Sequence, residues 1–204
     1  PYLIVDARYE KVRRGGRVIS QGILIVLGIN QEGMREILAV EVADTECETT
    51  WSDLFRDLKK RGLVGVELVT SDAHEGIRAA VARYFQGASW QRCQFHFIRN
   101  ILPLAAKGQK QDLHGDLRAI FDSGDIETLN WRLQELTRKW EAKRPAVAEK
   151  IDEEITDALA CFCFPRAHRK RIRTTNCLER LNQEIKRRTR VVRIFPNPAS
   201  ALRL

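Results

Sequence analysis

The sequence predicts an α/β fold in which a mixed β-sheet is followed by an all-helical insertion and one last helix. Three observations predict it. Short apolar runs rich in β-branched residues fill the first third of the chain and are joined by short connections. Strand patterns and helical patterns then alternate as far as residue 102. Residues 107–165 show only helical spacing, which indicates a separate helical segment.

The first three apolar runs are predicted to be antiparallel strands. Residues 2–5 form a short run that ends at Asp6, and residues 18–29 follow after a charged stretch. A turn signal at 30–33 precedes the third run, residues 37–42. Connections this short favour antiparallel pairing, because a parallel pair needs a long crossover.

Helices and strands alternate in the next part of the chain. Apolar side chains at helical spacing predict helices over 51–58, 77–85 and 97–102, with Gly62 as the C-cap of the first. Strands are predicted at 64–69 and 88–93. Three antiparallel strands followed by a βαβαβ unit is the layout of an RNase H-like fold, in which the later strands run parallel to the first.

The chain is therefore divided into three segments. Residues 1–106 are the first part of the RNase H-like core, and 107–165 are a helical insertion with three helical patterns. Residues 166–204 are the last part of the core, with a final helix and a basic tail. That helix is predicted to begin near Thr174 or Thr175, either of which suits an N-cap. Its buried face comprises Leu178, Leu181 and Ile185.

The charge of the chain is concentrated at one end. The net charge is +8 over 204 residues. Residues 166–204 hold 12 Lys and Arg against 2 acids, whereas residues 1–165 hold 23 against 25. A clustered basic segment attracts polyanions, of which nucleic acid is the usual one, although a solvated tail is the alternative.

Composition also bears on where the protein works. No apolar run approaches the roughly 20 residues that cross a bilayer, so no membrane partner is expected. The 5 cysteines are irregularly spaced and no secretion signal is visible, which indicates reduced thiols in a cytoplasmic protein. The chain opens at Pro1 without an initiator Met, and we expect it to be a fragment of something longer.

Two aspartates are candidates for a metal site. Asp6 ends the first predicted strand and Asp72 ends the fourth. In the predicted sheet these strands are neighbours, so both carboxylates lie within a few ångströms of each other. Two like charges that close are unfavourable unless a cation lies between them, and Mg²⁺ prefers such oxygen ligands. Alternatively, Asp6 is a turn residue and Asp72 caps the following helix.

A third carboxylate lies on the last helix. Glu179, Asn182 and Lys186 are spaced i, i+3, i+7 and share one face beside the apolar stripe. That face offers a carboxylate, an amide and an ammonium to a site. The alternative is a solvated Glu that pairs with nearby arginines.

Four segments carry a resemblance to a known family. They are 2–13 around Asp6, 69–76 around Asp72, 91–100 with the Cys93-x-x-His96 element, and 174–182 around Glu179; 194–197 resembles the tail that follows. Each resembles a segment of the Mutator-type transposases of bacterial insertion sequences, DDE enzymes with an Asp-Asp-Glu triad on an RNase H fold. The resemblance covers most of 2–105 and 168–204.

The resemblance implies a mechanism and partners. Asp6, Asp72 and Glu179 would hold two divalent metal ions, Mg²⁺ or Mn²⁺, for hydrolysis at the element end and strand transfer by the freed 3′-hydroxyl. Cys93 and His96 would be a structural element near the site. DNA would be the partner, and pairing of two ends implies a homodimer or a larger assembly. The candidate DNA-binding residues are Arg173, Asn176, Arg180, Asn182, Lys186, Arg187, Arg188 and Arg190.

Other interpretations of the sequence are considered as alternatives. One is an RNase H-like nuclease or resolvase that cuts without joining, and another is a domesticated, non-catalytic DNA-binding protein. A third is a zinc-dependent nucleic-acid-binding module. In that case Cys93 and His96 would be half of a site completed by His168 with Cys161 or Cys163.

Overall fold

The computed structural model describes residues 1–203, which form two compact units. One unit, here the sheet unit, contains residues 1–90 and 175–203. The other, the helical unit, contains residues 91–174. The assignment of 107–165 as an insertion within a core stays a prediction.

A five-stranded mixed sheet has the strand order β3-β2-β1-β4-β5. β1 pairs antiparallel with β2 and parallel with β4, and β2 pairs antiparallel with β3. The predicted mixed sheet, with the first and fourth strands as neighbours, is therefore confirmed. The strands are β1 Tyr2–Arg14, β2 Arg17–Ile29, β3 Arg35–Ala43, β4 Leu68–Ser71 and β5 Ser89–Arg92.

The first strand is much longer than predicted. β1 does not end at Asp6 but continues through the charged stretch to Arg14, and every residue from 2 to 14 is paired with β2. Gly15 and Gly16, with φ of 55° and 78°, form the two-residue turn between the strands, a conformation that suits glycine. The prediction that Asp6 terminates the strand was wrong because the polar residues after it still pair in register.

The helices follow the predicted order, with two additions. Helices at Arg166–Ile172 (α7) and Pro198–Leu202 (α9) were not predicted. The pattern that begins at Val147 leaves the α-helix at Glu154 for short 3₁₀ turns. No helix within residues 1–203 is long and apolar enough to span a membrane. The helices are α1 Glu48–Lys60, α2 Glu75–Tyr84, α3 Gln94–Ile101, α4 Lys110–Phe121, α5 Ile126–Lys143, α6 Pro145–Glu154, α7 Arg166–Ile172, α8 Asn176–Val192 and α9 Pro198–Leu202.

The core of the sheet unit lies between one face of the sheet and α1 and α2. Side chains predicted on the first helical face, such as Trp51 and Phe55, are fully buried there against Val5 and Leu24. The helix ends as its sequence predicts. Gly62, at φ 101°, follows the last turn and the next amide, that of Leu63, donates to the Leu58 carbonyl.

Gly76 allows the first turn of α2 to approach the start of α1. A Cβ built on Gly76 would lie 2.7 Å from the Glu48 amide nitrogen and 2.8 Å from the Cys47 carbonyl carbon. Both are backbone atoms, which cannot rotate away. The close approach brings the residues just before α1 next to the loop that carries Asp72.

We expect Gly76→Ala to lower the free energy of unfolding by about 1–3 kcal/mol, because the extra methyl forces the backbone to shift. The matched control is Gly115→Ala in α4, where nothing lies within 4 Å of the added Cβ. That change should raise stability by roughly 0.5–1 kcal/mol, since Gly is unfavourable within a helix. Chemical denaturation measures both, and equal effects of the two substitutions would contradict the close approach.

The last helix is followed by a sharp turn back onto β1. Arg193 has φ 60° and ψ −52°, and the next amide, that of Ile194, donates to the Val192 carbonyl at 2.7 Å, which closes a three-residue γ-turn. Phe195 then pairs with a part of β1 beyond the residues that pair with β4. Its nitrogen donates to the Lys11 carbonyl at 2.9 Å, and its carbonyl accepts from the Arg13 nitrogen at 2.8 Å. The chain after α8 is therefore fixed to the end of the β1–β2 hairpin.

Candidate active site

Asp6 and Asp72 occupy corresponding positions on two neighbouring strands. The parallel register of β1 and β4 pairs Tyr2 with Leu68 and Ile4 with Thr70, and each aspartate lies two residues further on. Burial raises the pKa of Asp6 to about 6, and the negative charge of Asp72 adds to the rise. The structure therefore brings together the two aspartates that the sequence singled out.

Asp72 is not the cap of the helix that follows it. α2 begins at Glu75, and its N-cap is His74, whose Nδ1 accepts a hydrogen bond from the Gly76 nitrogen at 3.2 Å. Asp72 Oδ1 is buried and has no hydrogen-bond partner within residues 1–203. The alternative of a capping aspartate was wrong, and a buried carboxylate oxygen stays available to a ligand.

Helix α8 contacts β1 beside Asp6. Asn182 Nδ2 donates to Asp6 Oδ2 at 2.6 Å, and Arg8 Nη1 donates to the Asn182 carbonyl at 2.5 Å. Further along, Thr189 Oγ1 donates to Glu10 Oε1 at 3.4 Å. Later residues of the helix thus contact later residues of the strand, so α8 and β1 run in the same direction.

This alignment fixes the level of Glu179. It precedes Asn182 by three residues, which is about 4.5 Å along the helix and on the same face. Because Asn182 bonds to Asp6, Glu179 lies near the level of Asp6, and it is half-buried there. The helix starts as predicted, with Thr175 at the N-cap position; Leu178 is fully buried, whereas Leu181 and Ile185 are only half-buried.

The structure adds a carboxylate that the sequence did not single out. The Glu46 side chain is only 7% exposed, and it accepts hydrogen bonds from Trp51 Nε1 at 3.2 Å and the Tyr9 hydroxyl at 3.4 Å. Burial raises the pKa of Glu46, while nearby His74 lowers it and the charge of Asp72 adds to the rise. Glu46 belongs to no motif, so only the fold reveals that it lies beside the aspartate pair.

Comparison with known proteins identifies the family. The sequence profile of the family described as "Transposase, Mutator family" matches residues 1–204. The chain belongs to the Mutator family of transposases. The family to which the four sequence segments pointed is therefore confirmed.

Relatives of this Mutator-family chain are transposases of insertion sequences. The chain is 47% identical over 203 residues to the transposase for insertion sequence element ISRM5 of Rhizobium meliloti. It is 43% identical over 205 residues to that for IS406 of Burkholderia multivorans, and 39% over 206 residues to that for IS256 in transposon Tn4001 of Staphylococcus aureus. The alignments cover 100% of this chain and 51%, 53% and 53% of the relatives. The chain thus spans about half the length of the curated relatives it matches.

Among solved structures, a chain of the simian T-cell lymphotropic virus intasome in complex with PP2A regulatory subunit B56 gamma is similar over 70% of this chain and 42% of that chain. The sequence identity is 11% and the TM-score is 0.29.

The basic residues predicted to bind DNA fall into two groups in this Mutator-family chain. Arg173 bonds within the helical unit, to the Phe121 carbonyl at 2.6 Å and to Asp122 Oδ1 at 2.7 Å. Arg187 and Arg188 pair with Glu184, which lowers the pKa of that glutamate to about 2. The predicted residues whose side chains are exposed on α8 are Asn176, Arg180, Lys186, Arg187, Arg188 and Arg190.

The Cys93-x-x-His96 element lies in the helical unit, at the start of α3. Cys93 is fully buried and His96 half-buried. Two glutamines of this segment make contacts across the helical unit: Gln91 Oε1 accepts from the Cys161 nitrogen at 2.7 Å, and Gln94 Nε2 donates to the Ala158 carbonyl at 2.9 Å. These bonds attach the start of α3 and the residues before it to the 3₁₀ turns after α6.

No three His, Cys, Asp or Glu side chains within residues 1–203 lie close enough together to hold a metal ion. The zinc alternative at Cys93 and His96 gains no support from this geometry. The aspartate pair fits a divalent cation in part. It offers hard oxygen ligands, mutual repulsion that a cation relieves, and the buried Oδ1 of Asp72 without a partner. Glu179 does not converge on the same point here.

Proposed function

We propose that this Mutator-family chain is the catalytic core of a DNA transposase with an RNase H-like fold, and that Asp6, Asp72 and Glu179 are its metal-binding triad. One observation carries the proposal. β1 and β4 present the two aspartates side by side, and α8 joins them through the bond from Asn182 to Asp6, with Glu179 one turn earlier on the same face. The strand order, with three antiparallel strands and then a parallel one, supports the RNase H-like assignment.

The residues of the chain would act mainly by holding the metal ions and by orienting the groups that bind them. Asp6, Asp72 and Glu179 would bind two Mg²⁺ or Mn²⁺ ions, which when bound supply positive charge against the phosphate oxygens. Asn182 donates to one oxygen of Asp6 and would thereby orient this carboxylate in the metal site. Phosphoryl transfer depends on positioning and charge neutralisation, so no Ser or Tyr nucleophile is needed.

DNA would be both substrate and partner. The exposed cations of α8 begin beside the triad, and contacts from such residues to phosphates give affinity without reading the sequence. Two element ends must be brought together for joining, so the proposal includes a homodimer or a larger assembly. Cys93 and His96 take no part in the proposed chemistry.

The test is cleavage and strand transfer on a labelled DNA that carries an element end, with Mn²⁺ or Mg²⁺, for the wild type, Glu179→Gln and Glu184→Gln. Glu179→Gln keeps the size and removes the charge, and we expect it to lower the rate about 10³-fold or more. Glu184→Gln is the matched control, because that glutamate lies on the same helix but pairs with Arg187 and Arg188. Its rate should change little.

Each outcome has a defined meaning. Cutting without joining by the wild type would favour the nuclease reading over the transposase. Activity that survives Glu179→Gln would remove that residue from the site. Binding to DNA without any metal-dependent cutting would favour a non-catalytic DNA-binding protein.

A further inference from the structure

The end of the β1–β2 hairpin is a basic surface that lies away from the aspartate pair. We call residues 11–18 the hairpin tip. It contains four exposed basic side chains and no acid, and none of its residues is aromatic. The basic residues are Lys11, Arg13, Arg14 and Arg17.

The end of α8 adds two more cations to the same place. The γ-turn at Arg193 and the pairing of Phe195 with Lys11 and Arg13 bring the last turn of the helix next to the tip. Arg190 and Arg193 are exposed there. Val12, Phe195 and Ala201 form a small buried cluster beneath, so the arrangement is packed and not a loose tail.

Few carboxylates offset this charge. Asp44 is within 2.5 Å of Arg14 and accepts from Gln21 as well, so it neutralises one of the arginines. Glu10 pairs with Arg8, on the side of the tip nearer the aspartates. The side chains of Lys11, Arg13 and Arg17 are therefore the cations of the tip with which a polyanion would interact first.

The position of the tip relative to Asp6 follows from the strand. Arg13 lies seven residues beyond Asp6 on the same continuous strand, which is about 23 Å at roughly 3.3 Å per residue. Duplex DNA rises about 3.4 Å per base pair, so this length matches about seven base pairs. Helix α8 runs alongside, with the exposed cations Lys186 and Arg190 between the two points.

We propose that the hairpin tip, together with Arg190 and Arg193, binds the backbone of duplex DNA about seven base pairs from the bond that is cut. The inference rests on the proposed function, since it takes Asp6 as the place of cutting. Phosphate is the group recognised, because the surface offers only cations. Duplex is favoured over single-stranded DNA because the tip has no aromatic side chain on which an unpaired base would stack.

The test measures binding to a labelled 30-base-pair duplex between 50 and 200 mM NaCl. It compares the wild type and a triple variant that carries Lys11→Gln, Arg13→Gln and Arg17→Gln. The slope of log Kobs against log salt is negative, and loss of three phosphate contacts should reduce its magnitude by about 2.7. Over this range the affinity of the wild type should then fall about 40-fold more than that of the variant. The charge-matched control is Arg35→Gln with Arg56→Gln and Lys60→Gln, exposed residues elsewhere in the sheet unit.

A slope that falls equally in the control and in the tip variant, or in neither, would overturn the inference. A second variant, Arg190→Gln with Arg193→Gln, tests the helix end separately, with an expected decrease of about 1.8 in the slope. If the wild type cuts and joins DNA while both variants keep its slope, the hairpin assignment fails and the proposed function stands. If the wild type does not bind the duplex, both fail together.

Discussion

Asp6→Asn should abolish metal-dependent DNA cleavage and, in the same protein, raise the free energy of unfolding at neutral pH. The carboxylate is buried beside Asp72, and its pKa is raised to about 6. Its charge is therefore unfavourable in the metal-free folded state. Asparagine keeps the shape and an oxygen to accept the hydrogen bond from Asn182, but it removes the repulsion and the metal ligand together.

The pH dependence has a definite sign. The pKa of Asp6 is raised from 3.8 to about 6 on folding, so the folded state binds the proton more tightly than the unfolded state does. The stabilisation that comes from the protonated Asp6 carboxyl is fully present below about pH 4, and it is lost as the pH rises through about 6. A shift of about two units corresponds to about 3 kcal/mol at most.

Chemical denaturation in metal-free buffer at pH 4 and pH 7 measures the effect. We expect Asp6→Asn to exceed the wild type in stability at pH 7 by up to about 3 kcal/mol and to match it near pH 4. Asp152→Asn, an exposed aspartate on α6, is the control and should change neither stability nor activity. A variant that is less stable than the wild type at pH 7 would show that Asp6 is a structural residue and not a repelled ligand.

Gln91→Leu should be among the most destabilising changes in the helical unit. The Gln91 side chain is fully buried, accepts from the Cys161 nitrogen at 2.7 Å and donates to the Arg92 carbonyl at 2.6 Å. Leucine has a similar volume but leaves two buried backbone groups without a partner. Each such group costs about 1–3 kcal/mol, so the free energy of unfolding should fall by about 2–6 kcal/mol.

Two further variants define this prediction. Gln134→Leu, at an exposed position of α5, is the matched control and should change stability by less than about 0.5 kcal/mol. Gln91→Glu keeps an acceptor for the Cys161 nitrogen but places a carboxylate in a fully buried position against the Arg92 carbonyl, so at neutral pH a loss at least as large is expected. Equal denaturation midpoints for Gln91→Leu and Gln134→Leu would contradict a structural role for this motif.

The sequence predicted the elements whose apolar side chains repeat regularly. Trp51 and Phe55 on α1, and Leu136 and Trp140 on α5, are buried as their spacing requires. It failed for the second half of β1, because the face that carries Arg8 and Glu10 contacts polar groups of α8 and not an apolar layer. Because polar residues follow one another in this part of β1, the sequence lacks the alternation of apolar and polar residues by which a strand is predicted.

The candidate site was predictable to the same extent. Asp6 and Asp72 were singled out because each follows a short apolar run, and the parallel register of β1 and β4 places them at corresponding positions. Glu46 was not found, because its burial depends on Trp51, Tyr9 and the loop around His74 meeting in three dimensions. The spacing of these residues along the sequence does not predict that they are in contact.

Helix α8 and the turn after it are attached to one strand at two points. Asn182, in the first half of the helix, donates to Asp6, and Phe195 pairs with Lys11 and Arg13 just after the γ-turn. The two attachments are about 20 Å apart on β1, a distance that a paired strand holds constant. A translation of the helix along its axis would break both attachments at once. The backbone of α8 and its two attachments therefore set the level of Glu179 along β1.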